Sequence, residues 1–355
     1  MAKKKKNFSS FVNNPIDFTL LITILLLLSI GLIMVLSASS PSALSETGNS
    51  YSFFSKQLIF AILGIIAMLF ISKVDYRFYK KFYKHAWWIA LLLLAGKTIN
   101  GAKRWIYLTE SLSFQPSEFV KLLMIIFYAG ILVKNRDELS KYGKGFIKHI
   151  ILLAPIIGLL LLEPHFSASI VIISICSVMM IMAGCKFWHF IATGGVVGLP
   201  AMIFLIIKEP YRLQRVVTFL DPWKDATGNG WQVIQSLYAI GSGGLFGAGL
   251  GESKQKYLYI PEPHNDFIFS ILGEELGFIG CAVVLILFAI FIWRGILISM
   301  KAPDMFGSLV AVGITTLVAV QVIINVAVVT SSMPATGMPL PFFSYRRNSL
   351  IYFIM

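Results

Sequence analysis

Charged residues are scarce in this chain. Asp, Glu, Lys and Arg make up 13% of its 355 residues, whereas hydrophobic residues make up 57%. Soluble domains carry about 25% charged residues, so this composition excludes an ordinary soluble fold. Cysteine is also rare, and Cys176, Cys185 and Cys281 lack the paired spacing of a zinc site or a disulfide framework.

Nucleotide-binding signatures are missing as well, since neither a P-loop nor a dinucleotide glycine spacing occurs. The chain instead contains a series of apolar runs, each near the roughly 20 residues that a helix needs to cross a bilayer. These runs begin near Phe18, Leu58, Trp87, Phe119, Ile150, Ser169, Phe187, Phe267, Phe306 and Leu350. We therefore predict an all-α, polytopic membrane protein with about ten transmembrane helices in one integral membrane domain, residues 1–355.

The two ends of this series have particular features. The first run follows a basic stretch, Lys3 to Lys6, but it is too long for the apolar core of a signal peptide, so we expect a retained helix. The run that begins at Leu350 reaches Met355 after about six residues, fewer than a crossing requires. The tenth helix is therefore expected to be truncated.

The formal net charge of +13 is concentrated in alternate loops. Basic residues cluster before the first run, after the second and after the fourth: Lys3 to Lys6, then Lys73, Arg77, Lys80, Lys81 and Lys84, then Lys134, Arg136, Lys141, Lys144 and Lys148. Such clusters mark the cytoplasmic side, which predicts a cytoplasmic N-terminus. Membrane orientation and anionic lipid explain the charge, so no nucleic-acid partner is predicted.

This orientation makes residues 208–266 a large extracytoplasmic loop between the seventh and eighth helices. Loops this long within a compact domain are usually functional. Its run 241–244, Gly-Ser-Gly-Gly, allows close approach of the backbone, either as a phosphate cradle that includes Ser242 or as a structural turn. Trp223 and Trp231 in the same loop are either interfacial anchors or substrate contacts.

Asp266 opens the eighth apolar run, directly after Pro-Glu-Pro-His-Asn at 261–265. Partial burial at a membrane boundary can raise the pKa of a carboxyl group, which suits proton transfer. Ionisable residues in membrane segments are functional candidates, but Asp is also a favoured helix cap, and both interpretations stay open. The same run is too long for a simple crossing and contains Glu274 and Glu275, so we expect a tilt, a kink or a buried re-entrant turn, and cavity or protein neighbours for both acids.

Lys121 lies one turn into the fourth run, after the segment Gln-Pro-Ser-Glu at 115–118. Its spacing from Glu118 predicts a simple ion pair within one helix. Alternatively, Lys121 and Arg104 hold a lipid pyrophosphate, for which Lys is a point charge and Arg a bidentate donor. Trp105, beside Arg104, is an anchor or a substrate contact in the same sense as the loop tryptophans.

Seven motifs in order along nearly the whole chain resemble the SEDS family (shape, elongation, division and sporulation) of membrane peptidoglycan polymerases. They are Gly-Ala-Lys-Arg-Trp-Ile at 101–106, Gln-Pro-Ser-Glu-Phe with Lys121 at 115–121, Asp-Pro-Trp at 221–223, the stretch 232–249, Pro-Glu-Pro-His-Asn-Asp-Phe at 261–267, Gly-Glu-Glu-Leu-Gly at 273–277 and Thr-Gly-Met-Pro-Leu-Pro at 336–341. The motifs Asp-Pro-Trp and Pro-Glu-Pro-His favour the division and sporulation branch of this family.

The resemblance implies a ten-helix protein of the bacterial plasma membrane that polymerises lipid II, an undecaprenyl-pyrophosphate disaccharide pentapeptide. Asp266 matches the family's proposed catalytic position and would act as general base. The implied substrate-binding residues are Lys121, Arg104, Trp105, Gln115, Ser117, Glu118, Glu262, His264 and Ser242. The implied partners are a class B penicillin-binding protein transpeptidase and membrane proteins of the divisome or elongasome. No cofactor is predicted, because no ligand cluster indicates a divalent cation.

The chain departs from the family pattern at two places. Arg346 and Arg347 stand where the family usually has two glycines, and His165 and Ser167 stand where it often has Asp and Gly. Two alternatives to the polymerase remain: a flippase that moves the same lipid-linked precursor, and a non-catalytic scaffold for a transpeptidase. Charged residues that line a continuous route from the cytoplasmic face would favour the flippase.

Overall fold

The computed structural model describes residues 16–99, 106–109, 112–163, 166–228, 230–257, 259–260 and 264–344. Within these ranges the chain forms thirteen α-helices and one short β-hairpin. The helices are α1 (Phe18–Thr47), α2 (Ser52–Ile71), α3 (Arg77–Lys81), α4 (Tyr83–Ile99), α5 (Pro116–Lys134), α6 (Lys148–Leu162), α7 (Phe166–Ala183), α8 (Phe187–Thr193), α9 (Leu199–Lys208), α10 (Pro210–Leu220), α11 (Trp231–Gly243), α12 (Ile268–Lys301) and α13 (Met305–Val329).

Eight helical stretches of the described chain are long and apolar enough to cross a bilayer. They are α1, α2, α5, α6 with the turn before it, α7, the continuous stretch α8–α9, α12 and α13. Helix α4, with 17 residues, takes the place of the predicted third crossing. The polytopic helical fold is thus confirmed, while the predicted tenth crossing at Leu350 lies outside the described residues.

Helices α5 and α13 lie at the centre of the bundle, and α2 and α8–α9 lie at its edge. Most of α5 and α13 is buried, whereas α8–α9 has no buried residue. Gly313 of α13 lies directly against Ile125 of α5 and Met179 of α7, where a Cβ would clash. Small residues at such contacts let helices approach closely, which drives helix association in lipid.

Asp17, the residue directly before α1, joins α1 to α12. Its carboxylate accepts hydrogen bonds from the main-chain N–H of Leu20 at 3.0 Å and from Arg294 Nε at 3.1 Å. Burial raises the pKa of the Asp17 carboxyl, but the bonds from Arg294 and Leu20 outweigh it, so the pKa lies below its ordinary value. The carboxylate is therefore charged at neutral pH and fixes the start of α1.

Helix α12 is broken at Gly277, whose φ of 66° and ψ of −165° are not helical. The break divides a short arm, residues 268–276, from a long arm, residues 278–301. Four main-chain hydrogen bonds to residues 244–249 replace those lost at the break: Ala248 N–H to Glu274 O, Gly249 N–H to Glu275 O, Phe278 N–H to Gly244 O and Ile279 N–H to Leu245 O. Unpaired backbone groups are costly at membrane depth. Residues 244–249 therefore stabilise the break by pairing the main-chain groups on both sides of Gly277.

Glycine is needed where residues 243–247 contact the short arm of α12. A Cβ on Gly243 would clash with Gly273 O, and a Cβ on Gly247 would clash with Glu275 O. Gly243 and Gly247 therefore serve close backbone packing, which favours the structural interpretation of the glycine-rich run over a phosphate cradle.

The large loop contains more regular structure than the sequence predicted. Residues 208–266 include α10, a 3₁₀ turn (Pro222–Asp225) and α11. A second element that the prediction lacked is an antiparallel hairpin, in which β1 (Ile106–Thr109) pairs with β2 (Leu112–Phe114) just before α5. The strands of this hairpin, with four and three residues, are too short to give a clear sequence period.

Candidate active site

Asp266 lies half-buried just ahead of α12. The helix cap is the next residue, Phe267, which makes no side-chain cap bond. Asp266 therefore lies one residue ahead of the assigned cap position, and its role as a cap stays a prediction.

Asn325 of α13 fixes the main chain at Asp266. Its Nδ2 donates to Asp266 O at 2.8 Å and to Met338 O at 2.7 Å, so one amide joins the two segments. Gly337 has a φ of +66°, and a Cβ there would lie 3.3 Å from Asp266 Oδ2. The carboxylate therefore faces a glycine in a backbone conformation that other residues rarely adopt.

The residues after α13 form a non-helical wall, the 335–344 segment, beside this carboxylate. Residues 338–344 are buried, and Phe342 and Phe343 pack against Phe288 of α12. Side chains satisfy its carbonyl groups: Arg215 Nη1 donates to Ala335 O at 2.7 Å, Ser167 Oγ to Thr336 O at 2.6 Å and Gln57 Nε2 to Ser344 O at 3.2 Å. Such donors are required because irregular backbone is tolerated at membrane depth only when protein satisfies it.

Lys121 and Glu118 form a buried ion pair in the first turns of α5. Lys121 Nζ donates to Glu118 Oε1 at 2.8 Å, and the Lys121 side chain is 0% exposed. The pair that helical spacing predicts is therefore confirmed. A role of Lys121 toward a lipid pyrophosphate stays a prediction.

Further buried polar groups lie beside this pair. The fourth and ninth crossings run in opposite directions, and Gly313 meets Ile125, so about two turns along each helix bring Ser117 and Gln321 to similar depths. Ser117 Oγ and both amide atoms of Gln321 are buried and have no hydrogen-bond partner among the described residues. Buried groups of this kind call for a water, an ion or a ligand.

Sequence reasoning missed Gln321 and Asn325. The available signal was two amide side chains four residues apart, hence on one face, in an otherwise apolar helix. Polar residues within membrane helices usually face the bundle interior, and this pattern does so here.

The other predicted site residues are placed as follows. Gln115 is buried at the cap of α5, and His264 is buried with its ring 5.2 Å from the Phe53 ring. Ser242 is exposed, and its hydroxyl donates to Ala239 O of its own helix. Arg104, Trp105 and Glu262 lie outside the described residues.

The prediction of a site without cofactor stays untested. Among the described residues, no group of three or more His, Cys, Asp or Glu side chains is placed to hold a metal ion.

Glu274 and Glu275 have the protein neighbours that the sequence requires. Glu274 accepts hydrogen bonds from Ser253 Oγ and from the main-chain N–H of Lys254, the latter at 2.9 Å. Glu275 accepts from Ser37 Oγ of α1 and from Lys256 Nζ, the latter at 3.1 Å. These acids therefore attach the end of the large loop to the short arm of α12, which follows Asp266.

Comparison with protein families gives a match over nearly the whole chain. The sequence profile of the cell cycle proteins FtsW, RodA and SpoVE matches residues 18–355. Stage V sporulation protein E of Bacillus subtilis is 44% identical over 346 residues, which cover 96% of this chain and 94% of that protein. A probable peptidoglycan glycosyltransferase FtsW of Trichlorobacter lovleyi is 40% identical over 342 residues, covering 94% and 89%.

Solved structures give the same result. A chain of a peptidoglycan synthase complex that coordinates polymerisation and crosslinking aligns with a TM-score of 0.77 and 28% identity, over 95% of this chain and 94% of that one. The rod shape determining protein RodA of Thermus thermophilus aligns with a TM-score of 0.70 and 25% identity, over 95% and 93%. The chain belongs to the FtsW, RodA and SpoVE family, as the resemblance of its motifs implied.

Proposed function

We propose that this chain is a peptidoglycan glycosyltransferase that polymerises lipid II on the outer face of the bacterial plasma membrane. The observation that carries the proposal is Asp266, half-buried ahead of α12, with its main chain held by Asn325 and its carboxylate beside Gly337. A carboxylate in this setting suits proton transfer because it is partly desolvated and its position is fixed.

In the proposed reaction, Asp266 accepts the proton of a sugar hydroxyl on one lipid-linked disaccharide. The hydroxyl oxygen forms a bond to C1 of the donor sugar, and the bond from C1 to the pyrophosphate oxygen breaks. Undecaprenyl pyrophosphate leaves with the bonding electrons, so no nucleotide is needed. The general base must lie within hydrogen-bond reach of the hydroxyl.

Positive charge would stabilise the leaving pyrophosphate. Lys121, oriented by its bond to Glu118, supplies a compact charge, and Arg104 supplies a planar donor for bidentate contact. Gln115, Ser117, Trp105, Glu262, His264 and Ser242 remain proposed substrate contacts of the same site.

The proposed partner is a class B penicillin-binding protein transpeptidase, within the divisome or the elongasome. Its support is the likeness to a chain of a synthase complex that coordinates polymerisation and crosslinking. The proposed orientation, with a cytoplasmic N-terminus, is supported by the basic clusters in alternate loops.

The test is glycan-strand formation from purified lipid II in proteoliposomes, with the transpeptidase partner present. We expect Asp266→Asn to reduce the rate by about 10²–10⁴-fold, the usual contribution of a positioned general base. Glu252→Gln, which changes an exposed acid of the same loop, is the matched control and should keep the wild-type rate. A chain with Arg346→Gly and Arg347→Gly tests whether the departure from the family pattern lowers activity.

The flippase alternative is favoured by one observation, the charged pair Lys121 and Glu118 inside the bundle. Translocation of fluorescent lipid II without polymer from any variant would replace the polymerase by the flippase. Full cellular function of Asp266→Asn would instead support a non-catalytic scaffold.

A further inference from the structure

A cavity of about 420 Å³ lies in the outer loop, away from the Asp266 carboxylate. Helix α10, the start of α11 and the residues that follow α13 enclose it. Its lining includes Arg215, Thr218, Trp231, Gln232, Ser331 and Ala335. The volume lies within the roughly 300–1,000 Å³ of small-molecule sites.

The chemistry of the lining suits an uncharged, hydroxyl-rich ligand. Thr218, Gln232 and Ser331 present hydroxyl and amide groups that can both donate and accept hydrogen bonds. Among the described residues that line the cavity there is no acid, and Arg215 is the charged one. This mixture of neutral polar groups and apolar surface is what a sugar unit requires.

Two of the lining side chains are held in place. Trp231 Nε1 donates to Tyr259 O at 2.6 Å, and Arg215 Nη1 donates to Ala335 O at 2.7 Å. An aromatic ring fixed by its own N–H offers a rigid apolar surface at little entropic cost. The cavity is therefore preorganised.

The cavity is continuous with the wall of the candidate active site. Ala335 lines the cavity, and Gly337, two residues further, lies against the Asp266 carboxylate. Two residues of extended chain span at most roughly 7 Å. The cavity lining therefore lies close to the carboxylate, as a subsite for a neighbouring sugar of the same substrate requires.

We propose that this cavity is a glycan subsite, which binds a sugar unit of the lipid-linked substrate or of the growing strand at a distance from the reacting bond. The proposal rests on the proposed polymerase function and adds a second point of contact to it. A strand held at two points stays bound between transfers, so the subsite would set strand length.

The first experiment fills the cavity. Thr227 lies at the exposed rim, and Thr227→Trp places an indole into the opening. Lys224→Trp, on an exposed position of the same loop that does not line the cavity, is the matched control. Strand length and the first transfer, which joins two lipid II molecules, are measured separately on gels in proteoliposomes.

The two measurements, strand length and first transfer, show whether the bound sugar belongs to the growing strand or to lipid II. A fall in mean strand length of about tenfold with an unchanged first transfer assigns the cavity to the growing strand. A fall in the first transfer assigns it to the lipid II disaccharide. Strands and first transfer equal to those of Lys224→Trp would overturn the subsite.

The second experiment measures binding without catalysis. The probe is a soluble tetrasaccharide of alternating N-acetylglucosamine and N-acetylmuramic acid, added to the full chain in detergent and followed by saturation-transfer NMR. Gln232→Ala should weaken binding by about tenfold, whereas Gln214→Ala, an exposed glutamine outside the cavity, should not. Binding by a wild-type chain that makes no polymer would keep the subsite and reject the polymerase, while equal affinities of the two variants would reject the subsite.

Discussion

At the residue scale, the buried pair of Lys256 and Glu275 is sensitive to substitution of either partner. The side chains are 5% and 0% exposed, and Nζ lies 3.1 Å from Oε1. Burial of two charges has a desolvation penalty, and the attraction between the charges offsets this penalty only while both are present. Loss of one partner therefore costs far more than loss of a surface pair.

We expect Lys256→Met to lower the free energy of unfolding by about 3–5 kcal/mol, because Glu275 is left buried and unpaired. The double variant Lys256→Met with Glu275→Gln should recover most of this loss. Lys254→Met, which removes an exposed lysine two residues away, is the control and should change little. Thermal unfolding in detergent measures all three, and equal instability of the single and double variants would contradict the charge argument.

The sequence could predict Asp266 as a site residue but not its partner. A boundary carboxylate stands out within an apolar chain, whereas Asn325 lies 59 residues further along and donates to the main-chain carbonyl of Asp266. Its role depends on how α13 packs beside α12, which no local pattern encodes. The ion pair of Glu118 and Lys121 was predictable because helical spacing alone brings the two residues together.

At the scale of elements, the break in α12 was also predictable only in part from the sequence. The run was too long for a simple crossing, so a tilt, a kink or a re-entrant turn was predicted. Its position at Gly277 was not, because the neighbouring glycines Gly273 and Gly280 have the same intrinsic freedom. The hydrogen bonds with residues 244–249, which occur on both sides of Gly277, favour the break at this position.

Gly277→Ala tests this account. A non-glycine residue at this φ and ψ costs about 1–3 kcal/mol, and the new Cβ would also clash with Gly247 N and Leu245 O. We expect a lower unfolding temperature and reduced polymerisation, because the short arm follows Asp266. Gly158→Ala in α6, where a Cβ meets open space, should be neutral or slightly stabilising. An unchanged unfolding temperature for Gly277→Ala would exclude strain at the break.

At the scale of the whole molecule, the bilayer explains why so much of the fold was predictable. Its thickness fixes the length of a crossing, and nine of the predicted crossings coincide with eight long helices and α4. The hairpin, α10 and α11 were missed because tertiary contacts, rather than thickness, determine short elements outside the crossings.

The predicted orientation is testable by cysteine labelling of intact cells with a membrane-impermeant maleimide. Asn49→Cys, in the exposed turn between α1 and α2, should be labelled from outside. Lys141→Cys, in the exposed turn between α5 and α6, should be labelled only after the membrane is opened. Cys176 and Cys185 are buried, so they give little background. The reverse labelling pattern would place the N-terminus outside.

The hydrogen bonds across the break in α12 also have a consequence for cooperativity. Residues 244–249 supply the main-chain partners that the broken helix lacks, so this part of the large loop cannot detach without leaving four main-chain polar groups of α12 unpaired. Residues 244–249 and α12 are therefore coupled, because detaching this part of the loop breaks the hydrogen bonds that complete the helix. For the candidate site ahead of the break, residues 244–249 belong to the scaffold rather than to a mobile lid.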